Sequence, residues 1–200
     1  MSEIAHLAAT IFRRGARHQR FIVAIAGPPG AGKSTLAGEL DRLMPEGSAA
    51  IIPMDGFHYD DAVLDRLDLR NRKGAPETFD VGGFGALLGR IRGRDADVAI
   101  PVFDRTMELA RAGARLIAAE TKFILVEGNY LLLDEEPWSK LASYFDLTVF
   151  IDVPRAELER RLLQRWREHG RADGPQWVAG NDMPNVDRVL SRRRRADIVI

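Results

Sequence analysis

Two kinds of residue in this sequence could do chemistry together. One is a lysine followed by two hydroxyls inside a glycine-rich run; the other is a carboxylate placed directly after an apolar run. Gly27-Pro28-Pro29-Gly30-Ala31-Gly32-Lys33-Ser34-Thr35 fits Gly-x4-Gly-Lys-[Ser/Thr], the spacing of a phosphate-binding loop. A polyphosphate needs several donors aimed at one small volume, and backbone N–H groups supply them without side-chain entropy. Glycines let the main chain come close and adopt conformations closed to residues with a Cβ. Lys33 can reach the β- and γ-phosphates as a point charge, and the Ser34 hydroxyl suits Mg²⁺. Gly27, Gly30, Ala31, Gly32, Lys33, Ser34 and Thr35 are therefore the expected nucleotide-binding residues.

The carboxylates are Asp55, just beyond Ala49-Ala50-Ile51-Ile52-Pro53, and Glu127, which closes Phe123-Ile124-Leu125-Val126. A carboxylate past the C-terminal end of a parallel strand lies where open α/β sheets hold their ligands. Asp55-Gly56 reads equally well as a plain turn. If the two strands are neighbours, their ends lie about 5 Å apart. Asp55 and Glu127 then converge beside the phosphate loop, with Glu127 on the Mg²⁺ side.

The elements that must position these groups follow from periodicity. Phe21–Ala26 reads as a buried strand leading into the loop. Leu36, Leu40, Leu43 and Met44 mark a helix leading out, stopped at Pro45-Glu46-Gly47. Ile4, Leu7, Ala8, Ile11 and Phe12 predict an amphipathic N-terminal helix, with His6 and His18 solvated. Tyr59 to Gly74 reads as helix then loop, Arg72 to Asp80 as a polar loop, and Gly83 to Arg92 as a short helix. Val98–Phe103 is extended, ends at Asp104-Arg105, and is expected to pair with Leu116–Ala119. Leu147–Val153 is a further buried strand ended by Pro154.

After that strand, Leu158, Leu162, Leu163 and Trp166 keep helical spacing, and the polar face carries Arg155, Arg160, Arg161, Arg165, Arg167 and Arg171. A solvated face accounts for most of these arginines. Phosphoryl transfer also needs a mobile cation to meet charge on the transferring group, and one or two of them could supply it. The weak pattern from Ala172 to Pro184 suits the edge of a lid spanning roughly Arg160 to Pro184. Val186–Arg195 is a basic helix and Ala196–Ile200 a closing strand.

The chain has 200 residues, enough for one domain with an ordinary core. Its 29 basic and 29 acidic residues balance, which argues against nucleic acid or a membrane surface as partner. Without cysteine, disulfides, thiolate zinc sites and cysteine nucleophiles are excluded. No apolar run approaches the roughly 20 residues of a membrane span. The first residues lack the basic start and apolar block of a signal peptide, so a cytoplasmic address is expected.

Several blocks together resemble the kinase family that includes uridine kinase, phosphoribulokinase and bacterial pantothenate kinase. Within it they are similar to small bacterial members named fructose transport system kinases or nucleoside triphosphate hydrolase domain proteins. The blocks are Gly27–Thr35, Met54-Asp55-Gly56-Phe57-His58, Arg72 to Asp80, Val126 to Leu133, and Asn181-Asp182 with Pro184-Asn185. The resemblance implies a three-layer P-loop α/β fold with a five-stranded parallel sheet in order 2-3-1-4-5 and a helical lid. It implies Asp55 as the acceptor of the substrate hydroxyl proton, Glu127 on the Mg²⁺ side, and Arg165 in the lid helix. It also implies an acceptor held near Asp55, His58, Phe79, Asp80, Asp104 and Arg105. Uridine kinases follow the Pro-Val-aromatic-Asp block with a His and an Arg that grip the nucleoside. Here Arg105-Thr106-Met107-Glu108 follows instead, which counts against uridine. Two functions stay open at this point: an ATP-dependent kinase acting on a small alcohol, and a nucleotide-binding regulatory or transport-linked NTPase. A homodimer is also left open.

Overall fold

The computed structural model describes residues 2–170 and 172–200. Met1 and Arg171, the latter one of the arginines assigned above to the lid helix, lie outside the described residues.

β1 (Phe21–Ala26) and β5 (Phe123–Gly128) are buried along their whole length, as expected of strands covered on both faces. β1 pairs in parallel with β5 and with β6 (Leu147–Phe150). β5 pairs with β2 (Ala49–Pro53), and β6 with β7 (Ile198–Val199). The sheet order is β2-β5-β1-β6-β7. Numbered within this sheet alone, it is the expected 2-3-1-4-5.

Alternation splits the core into two layers. Ile22, Ala24, Ile124 and Val126 face α4 (Val81–Gly93) through Phe84, Leu88 and Ile91, together with Trp138. Val23, Ile25 and Leu125 face the other way. There they meet Ile11 of α1 (Glu3–Gly15), Leu36 and Leu40 of α2 (Lys33–Leu43), and Leu158 of α5 (Arg155–Glu168).

At the end of the sheet away from the phosphate loop, Arg20 is almost wholly buried. Its guanidinium donates to the carbonyls of Ile91 (2.8 Å), Ala118 (2.9 Å), Ala119 (2.7 Å) and Thr121 (3.0 Å). It thereby ties the C-terminal end of α4 to the turn before β5.

β3 (Val98–Asp104) and β4 (Leu109–Ile117) form a separate antiparallel hairpin, irregular between Ile100 and Val102. The expected pairing began at Leu116. It extends instead from Leu109, because the hairpin leaves most of β4 exposed and its Ala-Arg-Ala-Gly-Ala-Arg run shows no apolar alternation. Contacts near the sheet help fasten the hairpin. Arg115 donates to the Ile51 carbonyl on edge strand β2 (2.9 Å). At Gly56 a Cβ would sit 2.4 Å from the Pro101 carbonyl oxygen, so only glycine permits that approach.

The segment after α5 is folded. α6 (Gly174–Trp177), a π-turn over Val178–Asp182 and α7 (Met183–Arg192) follow one another. Val178, Asn181 and Asn185 are buried there, and the Trp166 indole donates to Asp182 (2.6 Å). Its weak periodicity reflects the π-turn, which shifts the helical phase.

Candidate functional site

The C-terminal ends of β1, β2 and β5 open into a cleft of about 860 Å³. Its floor is the phosphate loop. Gly32 caps α2 with a left-handed φ of 95°, a conformation that turns the chain from loop into helix and disfavours residues with a Cβ. Pro29, Gly30, Gly32, Lys33, Ser34 and Thr35 line the cleft, while Gly27 and Ala31 are buried beneath and shape the turn. Because Lys33 opens α2, the positive end of that helix points at the same volume. The Lys33 ammonium donates to the Pro28 carbonyl (2.9 Å). Burial pushes it down to about 8, against the pull of Glu127 and Asp55.

Pro53 of β2 and Ile25 of β1 both stand in register with Glu127 of β5, so the two candidate carboxylates do emerge from neighbouring strands. Asp55 follows in a 3₁₀ turn over Met54–Phe57, which makes it a turn residue and a cleft-lining residue at once. Glu127 is 7% exposed and accepts from the Ser34 hydroxyl at 3.1 Å. Burial raises its pKa, and the nearby Asp55 charge adds to the rise; Lys33 and the Ser34 hydrogen bond oppose it.

α5 closes one side of the cleft. Arg161 donates to the Gly30 carbonyl (3.3 Å), and Leu162, Arg165 and Trp166 line the wall. The Arg165 guanidinium lies 5.5 Å from the Trp166 ring centroid. Its pKa is lowered first by burial and next by the charge of Arg105. Of the arginine-rich face, then, Arg161 and Arg165 reach the cleft. Arg155 and Arg160 instead pair with Asp187 and Glu157 at the surface.

The opposite wall carries His58, Phe79, Phe103 and Arg105. The His58 ring stacks 4.0 Å from that of Phe79 and 5.1 Å from that of Phe103. Burial pushes its pKa down to about 4, so the imidazole is neutral near pH 7. Its Nδ1 is buried with no hydrogen-bond partner among the described residues. The Arg105 guanidinium bonds the Asp55 carboxylate and lies 5.1 Å from the Phe103 centroid.

Two expected acceptor residues stand elsewhere. Asp80 is exposed and caps α4, its carboxylate accepting from Gly83 N (2.8 Å). Asp104 organises the hairpin turn, accepting from Thr106 N (3.0 Å) and Met107 N (3.1 Å) and pairing with Arg111 (3.2 Å). Neither lines the cleft. Aspartate is favoured in both roles because its short carboxylate reaches backbone N–H groups two or three residues ahead.

Lys73 was missed as a site residue. Its ammonium donates to Asp61 (2.8 Å) and to the Glu108 carbonyl at the hairpin tip (3.0 Å). Its own carbonyl accepts from Asn181 of the π-turn (2.8 Å). The surrounding loop is lashed further by the Tyr130 hydroxyl on the Gly74 carbonyl (2.6 Å) and the Trp138 indole on that of Pro76 (3.2 Å). The available signal was the unusual composition of Arg72 to Asp80.

A model of the phosphoribulokinase / uridine kinase family matches residues 22–199. The uncharacterised protein YggC of Escherichia coli (strain K12) is 39% identical over 188 residues, which cover 91% of this chain and 78% of that protein. A Schizosaccharomyces pombe (strain 972) protein provisionally named uridine kinase C227.14 is 32% identical over 195 residues, covering 91% and 83%. The crystal structure of a Silicibacter sp. TM1040 protein, provisionally named a fructose transport system kinase, superposes with a TM-score of 0.93 at 37% identity, covering all of both chains. With its phosphate loop, its two strand-end carboxylates and these relatives, the chain belongs to the phosphoribulokinase / uridine kinase family of P-loop kinases.

Proposed function

We propose that the chain transfers the γ-phosphoryl group of ATP to a hydroxyl of a small molecule: a sugar, a nucleoside or a pantothenate-like alcohol. The observation that carries this reading is the placement of Asp55 and Glu127 on adjacent strand ends, both facing the cleft beside Lys33. Two acidic groups so placed can divide the work. One stays on the metal side of the phosphates, and the other meets the incoming hydroxyl.

Mg²⁺ fits the residues present. Glu127 is a buried carboxylate that accepts from the Ser34 hydroxyl, and the two make a hard-oxygen pair at the loop. Among the described residues no cluster of three or more His, Cys, Asp or Glu is placed to hold a metal, which suits an ion such as Mg²⁺ that is typically bound through one or two carboxylates and would draw its other ligands from phosphate and water. The ion would supply neutralising charge between the β- and γ-phosphates. Lys33 binds the same oxygens once it leaves the Pro28 carbonyl. Arg165, facing the cleft from α5, meets charge on the transferring group. Asp55 orients the hydroxyl and takes its proton as the oxygen bonds to phosphorus and the bridging oxygen leaves with ADP.

The test is a screen of ADP release with Mg-ATP over sugars, nucleosides and pantothenate-like alcohols. A hydroxyl-dependent rise, with phosphorylated product identified, supports the kinase. Hydrolysis indifferent to every alcohol supports a regulatory or transport-linked NTPase instead.

A further inference from the structure

The wall that faces the phosphate loop carries three cations and three carboxylates: Arg70, Lys73 and Arg105 against Asp55, Asp61 and Glu108. Arg70 is held by Asp61 (2.8 Å) and Asp65 (3.2 Å). Lys73 is held by Asp61 and the hairpin tip. Arg105 differs from both. Its carboxylate partner is Asp55, the group that the kinase reading assigns to the reaction. Among the described residues Arg105 is also the one side chain bonded to the Asp55 carboxylate.

These two roles of Asp55 conflict. A carboxylate held by a guanidinium is not free to accept from an incoming hydroxyl. Releasing it leaves the Arg105 guanidinium without its carboxylate partner, close enough to Arg165 to disfavour the charge of Arg165. A neutral alcohol that takes Asp55 therefore leaves the Arg105 guanidinium with no acceptor in place of that carboxylate. An alcohol bearing a carboxylate or phosphate supplies that acceptor, and the planar guanidinium is the side chain best shaped to receive such a group. The geometry allows the exchange. Arg105 sits half exposed on the hairpin turn, resting on the Phe103 ring, with only side-chain rotation needed to move it.

We propose that Arg105 sets acceptor specificity: it holds Asp55 while the acceptor site is empty and passes to an anionic group of the acceptor when a hydroxyl takes its place. The proposal rests on the kinase reading and names the acceptor class as small alcohols with a carboxylate or phosphate a few bonds from the reacting hydroxyl. In the step itself the hydroxyl oxygen bonds to the γ-phosphorus of ATP and the bond to the β,γ-bridging oxygen breaks. Its electron pair leaves on ADP, and the hydroxyl proton goes to Asp55.

The experiment uses the full chain with Mg-ATP and matched pairs of alcohols that differ in charge: D-glycerate and glycerol, fructose 6-phosphate and fructose, pantothenate and pantothenol. Within a pair that is turned over, the charged member should have kcat/KM higher by about 10–10². Arg105→Ala should remove most of that preference through the KM of the charged member, and Arg105→Lys should restore part of it. With no alcohol present, Arg105→Ala should raise ATP hydrolysis about tenfold, because Asp55 is free to act on water, and adding Asp55→Asn should cancel the rise. Neutral members turned over as well as charged ones, or a preference that survives Arg105→Ala, would overturn the proposal while leaving the kinase reading intact. An unchanged hydrolysis rate in Arg105→Ala would overturn the hold on Asp55. Phosphorylation of neither member of any pair, with ATP hydrolysed all the same, would sink the kinase reading and this acceptor class with it.

Discussion

The Ser34 hydroxyl donates to Oε1 of Glu127 across 3.1 Å, joining residues 93 apart in the chain. The bond links the first turn of α2 to the end of β5, so the phosphate loop and the acidic strand end are fixed relative to one another before any ligand arrives. Burial of this carboxylate, and then the neighbouring Asp55 charge, raise its pKa by more than Lys33 and the Ser34 hydroxyl lower it.

From this follows a stability prediction. The native pKa of Glu127 lies above its unfolded value, so the native state binds more protons in the window between the two. Metal-free stability should therefore rise as pH falls through that window. Glu127→Gln removes the penalty, and its metal-free Tm should equal or exceed that of the parent. The same variant should lose most of the stabilisation given by Mg-ADP and about 10²-fold or more in turnover. Thermal denaturation with and without Mg-ADP between pH 4.5 and 7.5 checks both halves. A lowered metal-free Tm would contradict them.

Lys33 gives a second pH dependence, from the same burial acting on a group of opposite charge. Burial holds its ammonium at about 8, and phosphate binds the charged form. Nucleotide affinity should stay level below about pH 7.5 and fall by up to tenfold per unit above pH 8. Lys33→Met should lose turnover and flatten this profile while keeping the parent's circular dichroism. Calorimetric titration with ADP from pH 6.5 to 9.5 is the measurement.

Asp55→Asn keeps size and hydrogen-bonding capacity but removes basicity. Turnover with a proven acceptor should fall by about 10²–10⁴, with ATP affinity nearly unchanged, because loop donors and Lys33 carry that affinity. Loss of ATP binding in parallel would assign Asp55 to metal or structure instead.

Asp80→Ala should act on stability alone. Removing the α4 cap should cost about 1 kcal/mol, while acceptor KM stays at the parent value. A raised KM with unchanged Tm would return Asp80 to the acceptor site.

The lid expectation also has a direct test. Hydrogen exchange over Arg160 to Pro184 should slow when a non-hydrolysable ATP analogue binds, since Arg161 already bonds the loop and Arg165 faces the cleft. Equal exchange in both states would make this segment a fixed wall.

How much of this was legible in the sequence depended on burial and on chain distance. β1 and β5 could be read because both their faces are covered, which demands unbroken apolar runs ending where Glu127 and the phosphate loop begin. β4 was largely invisible, since an exposed hairpin strand of alanine and arginine leaves no periodic trace. Asp80 and Asp104 were read as ligands because a capping or turn-forming aspartate has the same local signature as a binding one. The composition of its loop marked Lys73 as unusual but not its joining role, because its partners Glu108 and Asn181 stand 35 and 108 positions away and meet it only in the folded chain.

The hairpin has a consequence for how such a molecule can change over evolutionary time. Among the described residues β3 and β4 share no ladder with the five-stranded sheet, and the turn between them is a surface loop. Loop length is cheap to vary, each doubling adding only about 0.6 kcal/mol. Rewriting the tip around Arg105 alters what stands opposite Asp55 and leaves the register of β1, β2 and β5 untouched. Mutation can therefore explore one half of the cleft while the other, where the chain grips phosphate, is inherited intact.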